Sequence, residues 1–348
     1  MPKRLLPIAL LALAAFSLPA AARTLVVLNK AEATASLIDL ASGKVVATLP
    51  TGAGPHEVAV SPDGKRALVA DYGAQVAGSS LTLIDLTVPK VEKTIALGDY
   101  KRPHGIQFLA DGKRALVTAE QNQALIVVDV ESGKVTEAMS TNANASHMVA
   151  AAPDGSRAFV ANIASGSISA IDLATGKLVR VVPTGAGAEG IDVTPDGKRV
   201  WVTNRAADTV SVVDAGTLEV VATLPSASFP IRAKATPNGR HVLVSNAKSG
   251  DVTVFDAVAM KEVRRIPMKA SATDTEGKLF SDRFGASPVP IGILVEPDGS
   301  RAYVAMASAD AIAVIDLAKW EVVGALTAGR EPDGLGFSKI VVAPAKNG

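Results

Sequence analysis

Apolar positions in this chain fall into short runs separated by turn residues, and none extends at helical spacing beyond the first 22 residues. The stretch from Gly185 to Pro225 shows the pattern most cleanly. It contains four runs, Gly190–Val193, Arg199–Asn204, Thr209–Asp214 and Glu219–Leu224, each predicting a short β-strand. Pro195-Asp196-Gly197 separates the first two and Ala215-Gly216-Thr217 the last two, and both are turn signals. The runs are rich in Val, Ala and Leu and do not alternate strictly. That pattern suits sheets covered on both faces.

The unit recurs along the chain. The Asp that closes the third run falls at Asp39, Asp85, Asp129, Asp172, Asp214, Asp256 and Asp316, which makes seven copies at spacings of 42 to 46 residues and one of 60. A repeat near forty residues with four strands per copy predicts propeller blades. The glycine of the first hairpin appears only six times, at Gly64, Gly112, Gly155, Gly197, Gly239 and Gly299. The missing copy is explained by the termini. The chain opens after residue 22 on a second-strand run, Thr24–Asn29, and closes on a first-strand run, Asp333–Ser338. Joining them completes a blade and removes the exposed sheet edges of a linear stack. The predicted fold is therefore all-β: a seven-bladed β-propeller with four antiparallel strands per blade and a closing blade shared between N- and C-terminal segments. Residues 23–348 form one domain, with an insertion at 267–290 before blade six.

The first residues follow a different rule. Lys3 and Arg4 precede an apolar run, Leu5 to Leu18, that ends in Ala20-Ala21-Ala22. This predicts a secretory signal peptide over 1–22, a periplasmic protein, and no membrane anchor once the leader is removed. Without the leader the formal charge moves from +1 to −1, so charge gives no argument for nucleic acid or an anionic membrane as partner. The absence of cysteine excludes disulfides, thiolate metal sites and thioether-linked haem. A monomer is expected.

The repeated string Pro-x-Gly, Ser-Pro-Asp-Gly-Lys-Arg and Val-x-Asn resembles the YVTN-repeat β-propeller family, the YncE-like exported proteins among them. Trp201-Val202-Thr203-Asn204 and Phe159-Val160-Ala161-Asn162 are close to the tetrapeptide that names it. The resemblance implies the propeller fold and an exported protein, and assigns no single activity. WD40 repeats are a poorer match, because the Trp-Asp dipeptide closing their third strand is absent.

One position changes from copy to copy while the rest of the repeat is kept. Eight residues before the hairpin glycine stand His56, His104, His147, Glu189, Ile231 and Ile291, and the terminal run adds Asp333. These lie where an innermost strand begins beside the central channel. A polar arc of Asp333, His56, His104, His147 and Glu189 thus faces two isoleucines. Three readings suit it: polar groups bonded to neighbouring backbone, the wall of a small-molecule site, or a three-His metal site with a carboxylate for zinc or copper. The propellers of nitrous-oxide reductase and of nitrite reductases, which this fold resembles, place histidines at a metal or tetrapyrrole. Arg205, Arg232 and Arg330, with Arg102 and Arg283, fall in connections on the same face, as do Tyr72, Tyr100, Phe229, Phe280 and Phe284. Arginine with aromatics around a concave mouth suits a carboxylate- or phosphate-bearing ligand. No nucleophile elbow, phosphate loop or zinc-protease helix occurs. The expectation is a binding or accessory propeller that holds a small ligand or protein partner in a funnel. A metal or tetrapyrrole protein is the alternative, and a lactonase-like hydrolase is a third reading on fold analogy.

Overall fold

The computed structural model describes residues 23–268, 270 and 281–342. The leader pattern at 1–22 and part of the blade-six insertion, including Phe280, lie outside the described residues. Seven four-stranded antiparallel sheets stand around a central channel. Blade four follows the sequence pattern closely, with strands Ala188–Val193, Arg199–Asn204, Thr209–Asp214 and Val220–Pro225. The closing blade takes Pro332–Ser338 as its innermost strand, beside Thr24–Asn29, Thr34–Asp39 and Lys44–Pro50. Among the described residues no helix is long and apolar enough to cross a membrane.

The hydrophobic clusters explain the absence of alternation in the strands. Val26, Leu28 and Leu37 of the closing blade pack on Val58, Val69 and Ile84 of the next, while Leu25, Val27 and Ile38 pack on Tyr303 and Ile312 of the blade before. Both faces of each middle strand are buried against a neighbour, so both sets of side chains are apolar. Trp201 is fully buried and packs against Phe255 across a blade interface.

A second device ties successive blades. The second strand of the closing blade ends in Asn29, whose amide donates to Thr34 and Ser36 hydroxyls of the third strand and whose oxygen accepts the Gly329 N–H from the preceding connection. Asn204 and Asn246 repeat the side-chain half of this arrangement. Blade one carries Asp71 there, bonded to Ser80, Thr82 and the Gly52 N–H.

The innermost strands share an irregularity that positions the site. In every blade the pairing of first and second strands breaks just after the first strand begins, as between Pro103 and Ile106 or Ala188 and Ile191. The same break occurs at Pro55/Val58, Ser146/Val149, Pro230/Arg232, Pro290/Ile293 and, in the closing blade, Asn29/Val27. Such a bulge releases a residue from the sheet and redirects its side chain. Thr118 serves the freed backbone: its hydroxyl accepts the Gly105 N–H and donates to the His147 carbonyl of the next blade. The glycine after the bulge lets the blades meet, since a Cβ on Gly105 would lie 2.7 Å from that carbonyl oxygen.

Candidate functional site

The bulged residue is the second of each innermost strand: His56, His104, His147, Glu189, Ile231, Ile291 and Asp333. All seven line one cavity of about 230 Å³ at the channel mouth. A second ring lies above the first; the sequence reading named its Tyr72 and Arg205 but not the repeat position they share. The residue after the position held by Asn29, Asp71, Ala119, Asn162, Asn204, Asn246 and Met306 is Lys30, Tyr72, Glu120, Ile163, Arg205, Ala247 or Ala307, and the first five of these also line the cavity. Aligning the chain on the residue after Asn29, Asn162, Asn204 and Asn246 would have found it.

The histidines form a row rather than a converging set. His56 and His104 have ring centroids 5.0 Å apart and meet edge to face. His104 and His147 stack at 3.5 Å. His56 Nδ1 donates to the Gly54 carbonyl at 2.8 Å, which fixes the proton on that nitrogen and leaves Nε2 as an acceptor. Tyr72 stacks on His56 at 4.4 Å, and Arg102 lies over the Tyr72 ring.

His147 is held differently. Its Nδ1 lies 2.8 Å from Glu120 and its Nε2 3.5 Å from Glu189. Burial works against a charge there, but the two carboxylates outweigh it and raise His147 above the ordinary imidazole range. Burial lowers His56 and His104 well below that range, and nearby cationic groups lower them further. The arc therefore holds two neutral imidazoles beside one that favours the imidazolium.

Glu189 organises the next blades. One oxygen meets Arg205 at 2.6 Å and the other meets Arg232 at 3.2 Å. Burial alone would raise Glu189, yet His147 and the two arginines hold it at about 2. Arg232 then crosses the channel to Glu57 of blade one at 2.6 Å. Blade one also supplies Tyr72, whose hydroxyl donates to Glu120. A closed polar circuit results: Tyr72, Glu120, His147, Glu189, Arg232, Glu57 and back to blade one. Arg232 occupies a position that is glycine in four sister blades, and only a long side chain there can span the channel. It also borders the separate cavity that opens toward the hairpin turns, so the bridge to Glu57 is the floor of the upper cavity.

Two expectations need correction. Arg330 is exposed and does not line the cavity; the connection carrying it is tied by its backbone to Ala31. The three histidines with a carboxylate do not make a metal-ligand set: no group of three or more His, Cys, Asp or Glu among the described residues is placed to hold an ion. Both nitrogens of His147 and one of His56 already have protein partners. Arg205 and Arg232 do line the cavity, each engaged by carboxylates. Tyr100 packs into the core between blades one and two. Phe229 and Phe284 stack at 4.8 Å behind Ile231 and Ile291, so the described end of the insertion buttresses the apolar wall.

Comparison with known proteins agrees with this architecture. A chain titled Kuenenia stuttgartiensis Hydrazine Synthase superposes with a TM-score of 0.69 at 19% identity, covering 82% of this chain and 90% of that one. A functionally unknown protein from Desulfotomaculum acetoxidans DSM 771 superposes with a TM-score of 0.73 at 14% identity, covering 90% and 98%. At such identities the likeness is one of fold alone. No curated protein matches the sequence. The profile described as "Lactonase, 7-bladed beta-propeller" matches residues 28–262, well over half of the chain, and the protein belongs to that family.

Proposed function

We propose that the funnel binds a compact, uncharged, oxygen-rich molecule, and that a lactone is the class it takes. The observation that carries this is the internal compensation of charge around the cavity. His147 stands between Glu120 and Glu189, Glu189 meets two arginines, Arg232 meets Glu57, and Lys30 acts on Asp333. A ligand carboxylate or phosphate would have to displace one of these carboxylates from its guanidinium, and breaking such a buried pair is costly. A neutral polar ligand meets no such cost. The family match to lactonases supports the same class. With the leader pattern at 1–22, the reading is of an exported protein.

Hydrolysis is favoured by one specific feature, the orientation of His56. Its Nδ1 proton is fixed on a backbone carbonyl, its ring is neutral and it lines the cavity. A base so arranged takes a proton from water at Nε2 while the water oxygen bonds to the lactone carbonyl carbon. The ring C–O bond then breaks, and the proton passes to the departing ring oxygen. Arg205 stands at the cavity wall to stabilise the negative charge that develops on the carbonyl oxygen.

Calorimetry and a proton-release assay with γ-butyrolactone and δ-valerolactone test the reading. The wild type should bind and open at least one of them, and His56→Ala should lower turnover about 10²- to 10⁴-fold with little change in binding. Because burial depresses His56, turnover should persist at pH 5.5, where an ordinary imidazole is mostly protonated. Binding without turnover would remove the hydrolytic step, and absence of binding would remove the reading.

A further inference from the structure

Two side chains in the wall make no hydrogen bond with any other described residue: the carboxylate of Asp333 and the imidazole of His104, whose Oδ1 and Nδ1 are moreover closed off from solvent. Both residues are almost wholly buried, Asp333 at 3% and His104 at 1% exposure, and both border the cavity. They occupy the same ring position on either side of His56. Leaving a buried polar group unsatisfied is unfavourable, and native structures contain few of them. Two such side chains in one wall of one cavity mark where a ligand meets their remaining polar atoms, Oδ2 of Asp333 and Nε2 of His104, and supplies the missing hydrogen bonds.

We propose that Asp333 and His104 recognise hydroxyl groups of the ligand, so that the cavity takes a hydroxylated ring in preference to its unsubstituted counterpart. The inference rests on the binding reading above and assigns the ligand's chemistry more narrowly. Asp333 supplies an acceptor and needs a donor from the ligand. An ammonium group is the wrong donor, because Lys30 and Arg232 already act on that carboxyl. A neutral hydroxyl suits both Asp333 and the neutral imidazole of His104, which offers either a donor or an acceptor according to tautomer. Ile291, next to Asp333 in the ring, and Ile231 beyond it form the apolar part of the wall, so the ligand carries its hydroxyls toward Asp333 and His104 and an apolar edge toward the isoleucines.

The proposal also sets a pH dependence. Burial raises Asp333 to about 6; Lys30 and Arg232 oppose that shift, whereas Glu57 and Glu189 add to it. Its neighbours in the ring are apolar Ile291 from the preceding blade and neutral His56 from the following blade, which also carries Glu57. A hydroxyl donor favours the ionised carboxylate. Affinity for the hydroxylated ligand should therefore rise as pH goes from 5 to 7.

The test uses two ring ethers that carry no ester, 3,4-dihydroxytetrahydropyran and tetrahydropyran, titrated calorimetrically into the wild type and two variants. The wild type should prefer the diol by about 10- to 100-fold, the range expected when a buried polar group gains or loses a partner. Asp333→Leu should erase most of that preference. Asp333→Asn, which keeps an acceptor oxygen, should retain the preference but lose its rise between pH 5 and 7. Equal affinity of the wild type for both ethers, or an undiminished preference in Asp333→Leu, overturns the inference and leaves the binding reading standing. Binding of neither ether overturns the inference as well, while the lactone titration above decides the binding reading.

Discussion

Replacing Arg232 by alanine should destabilise the protein by about 3–5 kcal/mol, the cost typical of breaking a buried ion pair from one side. The guanidinium is buried, joins Glu57 and Glu189, and is driven further toward its charged form by them despite the penalty of burial. Glu189 retains Arg205 and His147 in the variant, so the main loss falls on Glu57, left facing the channel without a cation. Urea unfolding at pH 7.5 measures the effect. The double variant Glu57→Leu, Arg232→Met should recover at least half of it, because removing both charges removes the unpaired one. A single-variant cost below about 1 kcal/mol would show that the bridge is solvated, against the buried geometry described here. The same substitution takes away the cavity floor, so it should also weaken ligand selectivity by size.

The second large effect has the opposite sign. Asp71 sits where four sister strands carry Asn29, Asn162, Asn204 and Asn246. Burial raises its carboxyl to about 6, even though Ser80, Thr82 and the Gly52 N–H all donate to it. The folded-state value lies above the unfolded one. Below about pH 4 the group is protonated in both states and costs nothing. As pH rises through 4 to 6 the unfolded chain ionises first, and stability is lost until the folded carboxyl also ionises. Asp71→Asn should therefore stabilise the protein by about 2–3 kcal/mol at pH 7.5, with the gain fading toward pH 4. The asparagine has a model in the same fold, because Asn29 makes the equivalent bonds to two hydroxyls and a backbone N–H. Urea midpoints at pH 4 and 7.5 decide it. An equal gain at both pH values would assign the effect to packing rather than to titration.

The blade count, the shared closing blade and the changing ring position were all legible in the sequence, because each is a departure from or completion of a strict repeat. The strand limits moved by only a residue or two, as when Gly190–Val193 became Ala188–Val193. The cavity's upper ring was not read as a ring, because Lys30, Tyr72, Glu120, Ile163 and Arg205 have nothing in common except their place after the position held by Asn29 and its equivalents. Nor could the sequence show how side chains at one register point. Three histidines at equivalent positions suggested convergence on an ion. Bulges turned them inward, but stacking on one another and carboxylates on His147 arranged them as a row. The arginines show the same limit. Arg205, Arg232 and Arg330 looked alike in loops, yet one pairs at the rim, one bridges the channel and one is exposed. The role of Arg232 comes from a contact with Glu57, 175 positions away in the chain, and no local pattern encodes that.

The most direct test of the account is a crystal structure of the wild type soaked with the tightest-binding lactone or hydroxylated ether. The predicted result is ligand density in the upper cavity, with a hydroxyl or carbonyl oxygen against Asp333, His104 or His56 and an apolar edge on Ile231 and Ile291. Density only below the Glu57–Arg232 bridge, or only on the turn face, would contradict the assignment of the polar arc as the binding site.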